Sequence, residues 1–192
     1  MKSIMISIQP QWVSKILNKE KLVEIRKTKP KCELPCKVYI YCTMPNKQEN
    51  RKPHSWEVVW LKRVIAEFTL NNVATLERDL NDWLPKNRYD ISNELLKDIN
   101  LNQNELWNYG QGKTLYAWRI DDLKIYDKPK ESSEFSHFIP NNKCPTKQCG
   151  TNCEDCPNYD EEHETCLALY YAHRVIKRPP QSWCYVEELE NE

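Results

Sequence analysis

The chain has 192 residues, 40% hydrophobic and 29% charged, a globular composition for one domain large enough to bury a core. Its three glycines, Gly110, Gly112 and Gly150, are too few and wrongly spaced for a phosphate-cradling loop, a G-x-G-x-x-G dinucleotide turn or a G-x-S-x-G nucleophile elbow. The net charge of zero hides a split: residues 1–63 hold 14 Lys and Arg against 5 Asp and Glu, and the rest holds 14 against 23. That split marks the N-terminal third as a candidate anion or nucleic-acid face.

Ile4–Gln9 is β-rich and reads as a first strand. Pro10 suits the first turn of a helix, in which Trp12, Val13, Ile16 and Leu17 recur at helical spacing up to Asn18–Glu20. Val23–Arg26 alternates as a strand, with Val23 and Ile25 expected inward and Glu24 and Arg26 outward. Lys37–Thr43 is a nearly continuous apolar run, hence an expected central strand. Arg63–Leu70 is another strand. Residues 74–110 read as a helical insertion, with stripes at Leu76, Leu80 and Trp83, then Ile91, Leu95, Leu96 and Ile99, then a short helix ending at Gly110. Lys113–Tyr126 is a long strand broken near Asp121–Asp122, and Gln181–Glu187 is the last strand. Strands of this number with a mid-chain helical excursion define an α+β domain spanning 1–192, most simply a mixed barrel or curled sheet.

The longest apolar run, Cys166 to Ala172, is too short to cross a membrane. The N-terminal MKSIMISIQPQW lacks a long apolar stretch and a small-residue cleavage site, so the expectation is a cytoplasmic protein with reduced thiols. Residues 140–170 form a Cys-rich insertion. Cys144, Cys149, Cys153 and Cys156, with Cys166 as the alternate fourth ligand, have the short turn-rich spacing of a zinc knuckle. An iron–sulfur cluster and unliganded thiols stay open as alternatives. No H-x-E accompanies a P-C-x-x-C, and His163-Glu164 does not continue to H-E-x-x-H, so zinc deaminase and zincin chemistry are excluded.

The most informative stretch is Ile8–Lys27, IQPQWVSKILNKEKLVEIRK. Strand, helix and strand project Lys21, Glu24 and Arg26 from a short span. Arg and Lys suit an anion or carbonyl, and Glu accepts base N–H groups or holds the Arg. Lys27, Lys29 and Lys31 follow as phosphate contacts. Trp56, Trp60, Trp107, Trp118 and Trp183 flank the expected sheet. Trp118, between Tyr116 and Arg119, is the one expected to face a base.

This segment resembles the ASCH family of the PUA-like superfamily, in a style common among phage and prophage proteins. The resemblance continues through KVYIYCT, RVIAEF, Gly112–Trp118 and RPPQSWCYVEEL, covering about residues 3–130 and 174–189. It implies a PUA-like mixed β-barrel with a cleft that binds RNA, DNA or a modified nucleotide. One branch consists of small amidohydrolases acting on N4-acetylcytidine, and another is associated with RNA cleavage. In the amidohydrolase branch a Thr follows the Lys by three residues. Lys21 and Arg26 match that pattern, but Glu24 stands in place of the Thr nucleophile. Hydroxyl attack is thereby disfavoured. Lys21 and Glu24 stay as catalytic candidates only through a water activated by Glu24. A protein-interaction module using the Cys-rich knuckle is a further alternative.

Overall fold

A computed structural model describes residues 2–45, 55, 58–80, 87–138, 159–160, 165–166 and 175–189. The elements run β1 (Lys2–Ile8), α1 (Pro10–Leu17), β2 (Val23–Arg26), β3 (Cys36–Cys42), β4 (Arg63–Leu70), β5 (Val73–Leu76), α2 (Asn93–Ile99), α3 (Gln103–Gly110), β6 (Leu115–Arg119), β7 (Asp121–Lys130), β8 (Tyr159–Asp160), β9 (Thr165–Cys166) and β10 (Trp183–Glu187). The α+β class is as expected.

A five-stranded mixed sheet has the order β10-β1-β3-β4-β7, and β3, the KVYIYC run, is its central strand. Only the β1–β3 pair is parallel, joined through α1 and β2. β1 and β3 are buried on both faces, which explains their loss of clean alternation. Ile4, Ile6, Ile8, Val38 and Ile40 enter the main core with Val13 and Ile16 of α1. Met5, Tyr39, Tyr41 and Val64 enter a second core with Phe135, Ile176 and Val186.

A three-stranded sheet, β2-β6-β5, stands beside it. The two sheets are continuous at one corner. β4 leads through Asn71 and Asn72 into β5, and β6 leads through Ile120 into β7, so an antiparallel ribbon leaves one sheet and enters the other. Asn71 Nδ2 donates to Asp121 Oδ2 at 2.9 Å, and the Arg119 N–H donates to Asn72 O at 3.3 Å, pinning the bend. Asp122 takes φ 49°, a left-handed conformation that Asp tolerates better than most residues. This is how strands commonly turn a corner between two sheets.

The segment expected to be one helical insertion is mixed. Leu76 ends strand β5, paired with Leu115, and is not on a helix. Its spacing to Leu80 imitates a helical stripe, but the pairing with β6 decides its conformation. Trp83 lies outside the described residues. The two later helices form as expected. Ser92 caps α2 by accepting from the Leu95 N–H, and Asn102 and Glu105 form a reciprocal capping box on α3. The α2–α3 layer covers Val23, Ile25, Leu115 and Ala117 of the small sheet. The last strand begins at Trp183, and β7 runs through Pro129 to Lys130.

Candidate nucleotide-binding cleft

β2 carries Glu24 and Arg26 on one face and Val23 and Ile25 on the other, and both faces are covered. Val23 and Ile25 point toward α2 and α3, so Glu24 and Arg26 must point the other way. That other way was expected to be solvent. Instead all four residues are buried, with Glu24 and Arg26 both 8% exposed. The end of β1 and the segment 180–182 wall in the polar face. Ser7 Oγ donates to Pro180 O at 2.6 Å, and the Ser7 N–H donates to Ser182 O at 2.8 Å.

Lys21 is placed by the chain reversal after α1. Asn18 closes the helix and Lys19 takes φ 60°. Leu22 is then threaded between α2 and β6, its N–H donating to Asp98 O and its carbonyl accepting from Ile120 N–H. Lys21 Nζ consequently donates to the carbonyl of Ile99, the last residue of α2, at 2.7 Å. It thereby satisfies one of the carbonyls that a helix end leaves open.

Glu24 lies between the two cations. Its Oε2 is 3.6 Å from Lys21 Nζ and its Oε1 is 3.2 Å from an Arg26 terminal nitrogen. The same Arg26 nitrogen donates to Ser7 O at 2.7 Å, and the other donates to Ser182 Oγ at 3.4 Å. Arg26 Nε is buried without an acceptor among the described residues. The three side chains sum to one positive charge in a place where burial pushes the Lys21 ammonium below its usual range. Glu24 opposes that shift, while Arg26 and Lys15 add to it.

These residues floor a cleft of about 470 Å³, within the roughly 300–1,000 Å³ common for small-molecule sites. Ser7, Gln9 and Trp12 line it from β1 and α1. Leu101, Glu105 and Tyr109 line it from the α3 side, and Thr43 and Gln181 complete it. Glu105 and Tyr109 are four apart on α3 and share a helix face. Burial pushes the Tyr109 phenol up; Arg26 opposes this and Glu24 adds to it. Lys27 Nζ sits 4.8 Å from the Tyr109 ring centroid at this side of the cleft. Lys15 and Lys21 lie 4.9 and 5.4 Å from the Trp12 ring.

The structure therefore brings Lys21, Glu24 and Arg26 together, with Lys27 adjacent. Lys29 and Lys31 are exposed on the loop that follows. Trp118 is a correction. It pairs with Glu24 across β2–β6, yet it is fully buried in the main core, where its ring meets Trp183 edge-on at 5.8 Å. Its neighbours Tyr116 and Arg119 suggested exposure, but β6 is the middle strand of its sheet and is covered on both faces. Trp12 and Tyr109 are the aromatic cleft residues instead. Trp12 read as a core position of α1, and Tyr109 had only its spacing from Glu105 to distinguish it.

The proposed zinc ligands Cys144, Cys149, Cys153 and Cys156 lie outside the described residues. Of the alternate, Cys166, only its place in β9 is described. Among the described residues no group of three or more His, Cys, Asp or Glu is placed to hold a metal ion. No described helix is long and apolar enough to cross a membrane.

No protein-family model matches the chain, and no curated protein matches it. Among solved structures, the ASCH protein of Zymomonas mobilis is similar at 20% identity and a TM-score of 0.46, covering 76% of this chain and 83% of that one. Two point mutants of that protein, one Tyr-to-Phe and one Ser-to-Ala, give TM-scores of 0.44 and 0.43 at 19% and 20% identity. Their alignments cover 77% and 67% of this chain and 87% and 73% of theirs.

Proposed function

We propose that this chain is an ASCH-type, PUA-like module that binds a nucleic acid or a modified nucleotide in the cleft floored by Lys21, Glu24 and Arg26. The observation that carries the reading is the burial of three paired charges at the base of an accessible cleft. Burying charge is costly, and a hydrophobic floor would stabilise the fold as well or better. A charged floor is useful when the ligand itself presents polar edges or an anion. Arg26 and Lys21 supply donors for a phosphate or carbonyl oxygen, and Glu24 is an acceptor for base amino and imino groups. Lys27, Lys29 and Lys31 extend the positive surface beyond the cleft, where a phosphate backbone would continue.

The test is retention of RNA, single-stranded DNA and duplex DNA at low salt, together with the melting temperature in the presence of single nucleotides. The reading expects binding that weakens linearly in log–log salt, and a melting shift with at least one nucleotide class. Absence of both would remove it.

A second reading has one specific support. An ammonium with a lowered pKa, 3.6 Å from a carboxylate in a cleft, is a pairing suited to proton transfer. In that reading Glu24 activates a water against an amide or ester of a modified nucleoside. Release of acetate from acetylated cytidine, lost in Glu24→Gln, would favour it over binding alone.

A further inference from the structure

Among the described cysteines, Cys32 and Cys36 meet. Cys32, half-buried, sits on the β2–β3 loop, and Cys36, buried, is the first residue of β3. Their sulfur atoms are 3.2 Å apart. The contact is held from both sides. Cys36 is paired in register with Leu70 at the start of β3, the central strand of the five-stranded sheet. The residue before Cys32 is fixed by its backbone: the Lys31 N–H donates to the Tyr185 hydroxyl, and Lys31 O accepts from Lys2 Nζ at 2.9 Å. Lys2 in turn lies 3.8 Å from the Tyr185 ring centroid. Loop and strand thus present the two sulfurs to each other, and among the described residues no third His, Cys, Asp or Glu joins them to make a metal site.

We propose that Cys32 and Cys36 form a reversible dithiol–disulfide pair that closes across the base of the β2–β3 loop. A disulfide requires the sulfurs to approach to about 2.05 Å, so closure needs a movement of about 1 Å. With a small-molecule disulfide such as oxidised glutathione as oxidant, the chemistry balances in two exchanges. The Cys32 thiolate attacks one glutathione sulfur, forming a Cys32–glutathione mixed disulfide as the glutathione S–S bond breaks, and one glutathione thiolate is released and takes up a proton. Cys36 then gives up its proton and attacks Cys32 Sγ, which forms the protein disulfide and releases the second glutathione. Two electrons pass from the protein dithiol to the glutathione disulfide.

Cys32 is the more exposed partner and meets the oxidant first. Burial, then the hydrogen bond to Cys32, pushes the Cys36 thiol up, while Lys2 opposes the shift. That assigns Cys36 as the slower, resolving thiol. Cys42 is buried and its sulfur donates to Thr43 O, so it is not a competitor for Cys32.

The sequence allows a clean test. Trypsin cuts after Lys31 and Lys37 and releases Cys32–Lys37, which carries both cysteines and no other. The intact folded protein is equilibrated with mixtures of reduced and oxidised glutathione, free thiols are alkylated, and the digest is weighed. The same series is run on the urea-unfolded chain. The proposal expects the peptide to appear two hydrogens lighter than the dithiol, free of glutathione and restored by dithiothreitol. The folded protein should close at a proportion of oxidised glutathione at least about tenfold lower than the unfolded chain, because the fold pre-aligns the sulfurs. Recovery of the folded peptide with two alkylated thiols, or with a stable glutathione adduct, would overturn it. So would equal or easier closure in the unfolded chain.

Discussion

Glu24 divides its two carboxylate oxygens between Lys21 and Arg26, and this makes its charge the pivot of the cleft floor. Replacing the carboxylate by an amide of the same shape leaves two buried cations facing each other. Glu24→Gln should therefore lower stability by about 2–4 kcal/mol, read as a lower urea midpoint. Its affinity for nucleic acid in general should not fall, since a negative charge has been removed. Discrimination among bases should fall, if Glu24 reads a base edge. A variant as stable and as discriminating as the parent would contradict the role assigned to it. The motif itself was legible because Lys21, Glu24 and Arg26 fall at strand and turn spacing within six residues. Its burial was not legible, because the wall over it comes from Ser7 and from Pro180–Ser182, which are far away in the chain. A second residue makes a pH prediction. Burial pushes the Tyr39 phenol up to about 12; the Leu189 N–H it accepts from opposes this, while Glu67 and Glu188 add to it. An unfolded tyrosine ionises near pH 10. Between about pH 10 and 12 the folded state therefore holds the proton that the unfolded state has lost. The stability that Tyr39 contributes is complete below that window and is lost as pH rises through it. Tyr39→Phe should cost about 1–2 kcal/mol at neutral pH, because the Leu189 N–H loses its acceptor. Its urea midpoint should then fall less steeply than the parent's between pH 10 and 12. Parallel slopes would refute the assignment.

Helix α3 sets the far wall of the cleft, and its position depends on a close approach at its last residue. A Cβ at Gly110 would collide with the hydroxyl and ring of Tyr89 and would lie 2.8 Å from Leu115 Cδ1. Tyr89 cannot retreat easily. Its hydroxyl donates to Lys113 O at 2.7 Å, and its backbone N–H and carbonyl are both held by the Gln103 side chain at 3.1 Å. Gly110→Ala should destabilise by about 2–3 kcal/mol through overpacking, which for a chain of this size lowers the melting temperature by about 5–10 °C. An unchanged melting temperature would mean that α3 can shift freely from β6. The end of α3 at Gly110 was visible in the sequence; its start, where Asn102 and Glu105 cap each other reciprocally, was not read there. Strand β5 was not visible. Leu76 and Leu80 share a helical interval, and only the pairing of Val73–Leu76 with Leu115–Trp118 makes the first of them a strand residue. The corner between the sheets was half legible: Asp121–Asp122 marked a break, but nothing local to it tells that the strand changes sheets there.

The charge distribution acts at the scale of the whole molecule. Lys29 and Lys31 are exposed and do not line the cleft. Lys29→Ala with Lys31→Ala should weaken every nucleic acid alike and reduce the slope of log affinity against log salt by up to about 2, leaving base preference intact. A change in preference without a change in slope would mean that these lysines do not contact phosphate. Trp118 shows why a composition-level argument could not choose which aromatics line the cleft. Tryptophan is equally useful as core and as a stacking surface, and which role it takes depends on whether its strand is central. The central claim, that the cleft is the ligand site, is tested most directly by backbone amide NMR shifts of the parent protein during titration with a short single-stranded RNA at low salt. The predicted result is a contiguous set of shifts at Ser7–Trp12, Lys21–Arg26, Leu101–Tyr109 and Gln181, saturating with the ligand. Shifts confined to Lys29 and Lys31, or none at all with RNA or with single nucleotides, would contradict it.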